Sequence, residues 1–217
     1  MALICVDEDG FRRVNEREKD TLRFTFAKAV GDYLIDIIKI EYDPSLAAIR
    51  KKGRVRNDKE IQMRSDYNPE DLKWMGVFIH EAAHIWQRET GRHREGKGGE
   101  NYEYWHEQLP DLELQVEEHA SAVEHWFYVT YGITKGLANW SNVEDRDWLW
   151  QVILEAFGFE EDDWLEVDPK LKKGPAVKLE LDALQKLTEI WTPVIEDIRN
   201  RNHVPALRPK SANPRFP

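Results

Sequence analysis

The stretch FIHEAAHIWQ, residues 78–87, sets His80, Glu81 and His84 in a His-Glu-x-x-His string. Residues four apart stack on one helix face, so both imidazoles can aim a ring nitrogen at one point about 2 Å from each, the distance zinc requires. Glu81, offset by one helical step, can reach a water held by that metal without ligating it, which is the position of a general base. Zinc in turn lowers the pKa of such a water towards about 7. Strings of this kind arise by chance, so context has to carry the assignment. Here the preceding Val77 and Phe78 and the following Ile85 and Trp86 give the helix an apolar side, with small Ala82 and Ala83 inside the motif.

A catalytic zinc takes a third protein ligand and leaves its fourth position to water. The sequence offers candidates in LQVEEHASAVEHWFYVTYG, residues 114–132. If Val116, Ala120, Val123 and Phe127 form the buried stripe, then at about 100° per residue Glu117 and Glu124 share one flank, while Glu118 and His125 point nearly opposite the core. Glu117 is the favoured ligand and Glu124 the second choice, with His119 on the other flank as a lesser candidate. The flank of Glu117 also carries Ser121, Tyr128 and Tyr131. A phenol there could steady an oxyanion, and Tyr131, Tyr128, Tyr104 and His106 are the candidates, Tyr131 first.

These residues need elements to position them. Leu22, Phe26 and Val30 at four-residue steps predict a helix that stops at Gly31, and the alternation of Ile38, Ile40 and Tyr42 predicts a strand. The basic stretch RKKGRVRNDK reads as a loop, and EIQMRSDY as an edge strand beside a cleft. The His-Glu-x-x-His helix is punctuated by Asn68 as cap, Pro69 in its first turn, Asp71 near its positive end and Gly91 as its close. A second long helix is expected from near Asp111 to Gly132, and a third after the capping box Ser141 and Glu144. A last one, over residues 176–191, should be kinked or ended by Pro193. The expectation is an α+β fold with a small sheet. Its catalytic core spans residues 1–132, a helical C-terminal portion of the same domain spans 133–202, and an extended Pro-rich tail spans 203–217.

Composition removes several function classes. A net charge of −10 argues against nucleic acid as partner despite the basic loop. The single cysteine, Cys5, excludes an internal disulfide framework and leaves any metal to histidines and carboxylates. No window approaches a membrane span, and the apolar patch in MALICVDEDG is too short for a signal-peptide core. The chain is expected to be cytoplasmic as synthesised, with any export needing a route without a conventional signal peptide.

The string HEAAHIWQ at 80–87, YEY at 102–104 and EEHAS at 117–121, with the strand-like GDYLIDIIKIEYD upstream, resemble a known group. These are the bacterial zincin-like metallopeptidases fused to, or encoded beside, Rhs and VgrG proteins of contractile secretion systems, and the likeness covers roughly residues 20–132. It departs from the group's pattern at Glu118 and His119, where the group carries glutamines, and at His125 and Trp126. The resemblance implies a zincin-like fold, Zn2+ held by His80, His84 and Glu117, and Glu81 as base. It also implies a peptide or protein substrate, and a secreted effector or toxin with an immunity or secretion-system partner. The alternative is a catalytically inactive zincin scaffold serving as an accessory or binding component of a secretion or phage-like particle.

Overall fold

The computed structural model describes residues 10–49, 51–57, 59–91, 114–134 and 188–200, with side chains as far as Tyr131 in the fourth stretch. The expectations for Tyr104, His106, the helix after Ser141 and the tail from 203 lie outside the described residues, as does most of the helix expected over 176–191. Within them the chain is a mixed α+β structure with one four-stranded sheet and five helices. In chain order these are β1 (Arg12–Arg13), α1 (Glu16–Ile37), β2 (Lys39–Tyr42), α2 (Ser45–Ala48), β3 (Gly53–Val55), β4 (Glu60–Met63), α3 (Leu72–Glu89), α4 (Val116–Thr134) and α5 (Thr192–Asn200). None of the described helices is long and apolar enough to cross a membrane.

The strand order is β1-β2-β4-β3, with β2 and β4 parallel and the outer pairs antiparallel. This corrects two expectations. The segment EIQM is an interior strand, and the edge beside the cleft is β3, taken from the stretch that reads as a basic loop. Cross-strand chemistry explains the misleading polarity: Gln62 sits in register with Glu41 on one side and Arg54 on the other. Its amide donates to Glu41 at 2.6 Å and accepts from Arg54 Nε at 2.6 Å, so a polar residue serves an interior position. Gly53 brings this edge strand close against α3, since a Cβ there would stand 3.1 Å from Glu81 Cγ, Met63 Sδ and Val77 Cγ1.

Helix α1 begins with a capping box of Asn15 and Glu18 and does not stop at Gly31. It bends at Ala27, where φ is 62° and ψ 163°, and then runs on to Ile37. Gly31 is required by the bend, since a Cβ there would fall 2.7 Å from the Arg23 backbone. Glu18, fully buried, also takes a two-pronged ion pair from Arg12 and a hydrogen bond from Tyr67, which ties β1 and the turn before α3 to this helix.

Asp71, not Asn68, caps α3, accepting from Lys73 N at 2.8 Å, while Asn68 and Pro69 form the preceding turn. Gly91 closes the helix in a left-handed conformation, as expected of it. Met75, Phe78, Ile79, Ala82 and Ile85 are buried from this helix, each large side chain contributing about 1.5–3 kcal/mol. α4 begins at Val116 and runs past Gly132 to Thr134. It packs against α3 and also touches α5, so the single narrow stripe expected from the sequence is wrong: Glu118, His119, Trp126 and Val129 are buried as well. Glu118 is inside because it caps the helix, accepting from Gln115 N at 2.7 Å. Pro193 lies in the first turn of α5, a helix that begins after a break at residues 190–191.

Candidate metal centre

α3 and α4 form the most extensive helix–helix packing, and the site lies where they meet. His80 and His84 project from successive turns of α3, with their rings 4.8 Å apart and nearly perpendicular. Glu117, in the first turn of α4, completes the group. His80 Nε2 and His84 Nε2 are 3.2 Å apart, and Glu117 Oε2 lies 3.2 Å from the first and 3.0 Å from the second. Among the described residues, His80, His84 and Glu117 are the group whose ligand atoms converge in this way. The sequence-based ligand set is therefore brought together in space.

The contacts behind the rings decide which nitrogens face the centre. His80 Nδ1 lies 3.0 Å from Glu124 Oε2, one heptad along α4 from Glu117. His84 Nδ1 lies 2.9 Å from Gln87 Oε1. The Gln87 amide nitrogen is committed to Val116 O at 2.9 Å and to His119 Nδ1 at 3.2 Å, which orients its oxygen towards His84. His84 thus carries Nδ1–H towards the Gln87 oxygen, the Glu124 carboxylate stands beside His80 Nδ1, and the Nε2 atoms of both rings face Glu117.

Three acceptors within 3.2 Å of one another repel unless a positive charge lies between them. Considered as protein groups alone, a proton serves. Burial by itself would lower the His80 pKa, but the Glu117 and Glu124 carboxylates overcome it and push it up to about 10. Burial opposes ionisation of Glu117 too, and the two histidines outweigh it, holding its carboxyl well below the usual range. A divalent cation would take the place of that proton. Two imidazole nitrogens and one carboxylate oxygen are a zinc donor set, and bonds of about 2.0–2.1 Å in a tetrahedral site separate ligands by about 3.3 Å, close to the spacing present. The residues fit the ion.

Glu81 stands apart from the triangle, on the side of β3. It is buried, and that desolvation raises its carboxyl pKa against the pull of His80 and His84. A carboxylate made more basic beside such a group is better suited to accept a proton than an ordinary exposed glutamate. An open cleft of about 690 Å³ runs along the site between β3 and α4, with Val55 and Val77 on its apolar side and Lys51, Lys52 and Arg88 at its margins.

No protein-family model matches the chain, and no curated protein or solved structure matches it either. The centre therefore stands on its own geometry.

The remaining sequence candidates are placed elsewhere. Tyr131 is not among the described residues lining the cleft; its ring packs on Phe127 at 5.0 Å and against Phe24 of α1 at 5.8 Å. It shares a flank with Glu117, but fourteen residues of helix carry it about 21 Å along the axis. Tyr128 Oη lies 2.8 Å from Glu124 and 3.0 Å from the Lys73 carbonyl, so it supports the ligand shell instead of facing a substrate. Gly76 makes this approach feasible, because a Cβ there would sit 1.9 Å from Tyr128 Cζ. His119 is a packing residue, stacked on Trp86 at 5.5 Å with the ring planes 6° apart. His125 is half-buried, pushed down to about 4 by desolvation, and is not in the ligand group. Sequence reading overlooked Gln87 as a support for His84, although its spacing of three residues on one helix signals such a pair.

Proposed function

We propose that this chain is a zinc-dependent metallopeptidase of the zincin type. The observation that carries the reading is the convergence of His80 Nε2, His84 Nε2 and Glu117 Oε2 within 3.2 Å beside a buried Glu81 in an open cleft. His80, His84 and Glu117 would hold zinc, which would supply a Lewis acid for the scissile carbonyl and the attacking water. Glu81 would accept a proton from that water and return it to the leaving amine. Glu124 and Gln87 keep the two imidazoles in the tautomer that presents Nε2. Among the described residues strand β3 pairs with β4 on one side only, so its outer edge can take an extended peptide as an added strand next to Glu81.

The likeness of HEAAHIWQ and EEHAS to the zincin-like peptidases associated with Rhs and VgrG proteins supports the same reading. On that likeness alone rests the proposal of a secreted effector, held in check by an immunity partner. Glu81→Gln tests the catalytic role. It should leave about one zinc bound per chain, measured by mass spectrometry, and lower hydrolysis of a denatured protein substrate by at least about 100-fold. Undiminished hydrolysis in Glu81→Gln, or a wild-type protein that binds zinc and cleaves nothing, would favour the scaffold reading instead.

A further inference from the structure

The cleft has a charge distribution that the chain as a whole does not. With a net charge of −10, the protein would be expected to attract basic peptides. The margin of the cleft on the β3 side has the opposite sign. Lys51 and Lys52, in the bend that leads into β3, are both exposed and both line the cleft, and among the described residues no carboxylate forms an ion pair with either. Arg88, on α3, lines it as well. Arg54 also lines it but is already engaged by Asp43 at 3.0 Å and Gln62 at 2.6 Å, so it adds little to the argument. The three carboxylates of the lining, Glu81, Glu117 and Glu124, are occupied by the site itself, two of them against His80. With a divalent cation in place, the described lining is positive overall. Charges beyond about one Debye length, roughly 8–10 Å, are screened in ordinary buffer, so a segment lying in the cleft responds to its lining more than to the net charge of the whole chain.

We propose that the cleft selects an extended acidic peptide segment, with Asp or Glu side chains placed over Lys51 and Lys52 a few residues from the bond facing Glu81. The inference rests on the peptidase reading for the word bond, but not for the charge preference. A chain lying along the outer edge of β3 runs directly past the bend that bears both lysines. Their backbones are held, Lys51 N donating to Leu46 O at 3.0 Å and Lys52 O accepting from Arg64 N at 2.9 Å, so the two ammonium groups extend from a fixed base.

The test has two arms. In the first, two fluorescent ten-residue peptides of the same apolar frame, one interspersed with Glu and one with Lys, are titrated into zinc-loaded Glu81→Gln protein at about 50 mM salt. The acidic peptide should bind at least tenfold more tightly, and the difference should collapse or invert in Glu81→Gln carrying Lys51→Glu and Lys52→Glu. Equal binding, tighter binding of the basic peptide, or a preference untouched by the two lysine substitutions would overturn the proposal. In the second, zinc-loaded wild-type protein is given a peptide library of mixed composition, and cleavage sites are mapped by mass spectrometry. Asp and Glu should be enriched about threefold on one side of the cut, and cleavage without that enrichment would also overturn it. Acidic binding preference with no cleavage at all supports the charge selection and sinks the peptidase reading, so the two failures are separable.

Discussion

Gly76→Ala probes the support of the proposed metal centre from a distance. On a solvated helix face this change would stabilise the protein by about 1 kcal/mol through helix propensity. Here the new methyl would stand 1.9 Å from Tyr128 Cζ and 2.1 Å from its hydroxyl. Carbon atoms in contact lie about 3.5–4.0 Å apart, so the ring must retreat by about 2 Å. It has little room, being 3 % exposed and packed beside Phe127. Overpacking of this kind costs about 1–3 kcal/mol. Withdrawing the hydroxyl from Glu124 and the Lys73 carbonyl adds about 1–3 kcal/mol. Set against the propensity gain, a net loss of about 1–5 kcal/mol is expected in urea unfolding with a chelator present. Zinc affinity should fall by about 10- to 100-fold, because Glu124 no longer holds His80 in place. In a Tyr128→Ala background the same Gly76→Ala change should become neutral or mildly stabilising, which isolates the steric cause. A Gly76→Ala protein more stable than wild type would refute the close approach of α3 and α4 on which the site depends.

Three further outcomes follow from the same geometry. Glu124→Gln should retain one zinc per chain but weaken its binding by about 10- to 100-fold in a competition titration with a fluorescent chelator, since His80 loses its carboxylate partner. Without metal, the raised His80 pKa contributes stability that is fully present below the ordinary value of 6.5 and lost as pH rises towards about 10. The urea midpoint in chelator should therefore fall across that window, whereas zinc affinity rises; a midpoint that climbs from neutral to alkaline pH would contradict the His80 contacts. Finally, Ala27 adopts φ 62° and ψ 163°, a conformation suited to glycine. Ala27→Gly should stabilise the fold by about 1–2 kcal/mol in urea unfolding, and any loss of stability would argue against the bend in α1.

His80, Glu81, His84 and Glu117 were legible in the sequence because helical spacing alone places two imidazoles on one face, and a carboxylate on a second amphipathic helix is the natural complement. Strand β2 and helix α3 were legible for the same reason: their periodicity, and the closing Gly91, are local properties of a few consecutive residues. The edge strand was not. Gly53–Val55 carries too little apolar alternation to declare itself, and it becomes a strand only by pairing with β4. The polarity of EIQM misled in the opposite direction, because Gln62 is polar for its partners Glu41 and Arg54, which lie far from it in the chain.

The residue types of the convergent group and of the carboxylate beside it were thus set by the sequence, since they depend on residue identity and on the fixed pitch of a helix. Tertiary structure decided everything that depends on which surfaces meet. Packing α4 between α3 and α5 buried Glu118 and His119, turned Glu124 and Gln87 into supports for the imidazoles, and carried Tyr131 away from the cleft despite its shared flank. A helix repeats its direction every few residues, but its rise separates residues that share a flank, and only the partner against which it packs determines which of them arrives at the site.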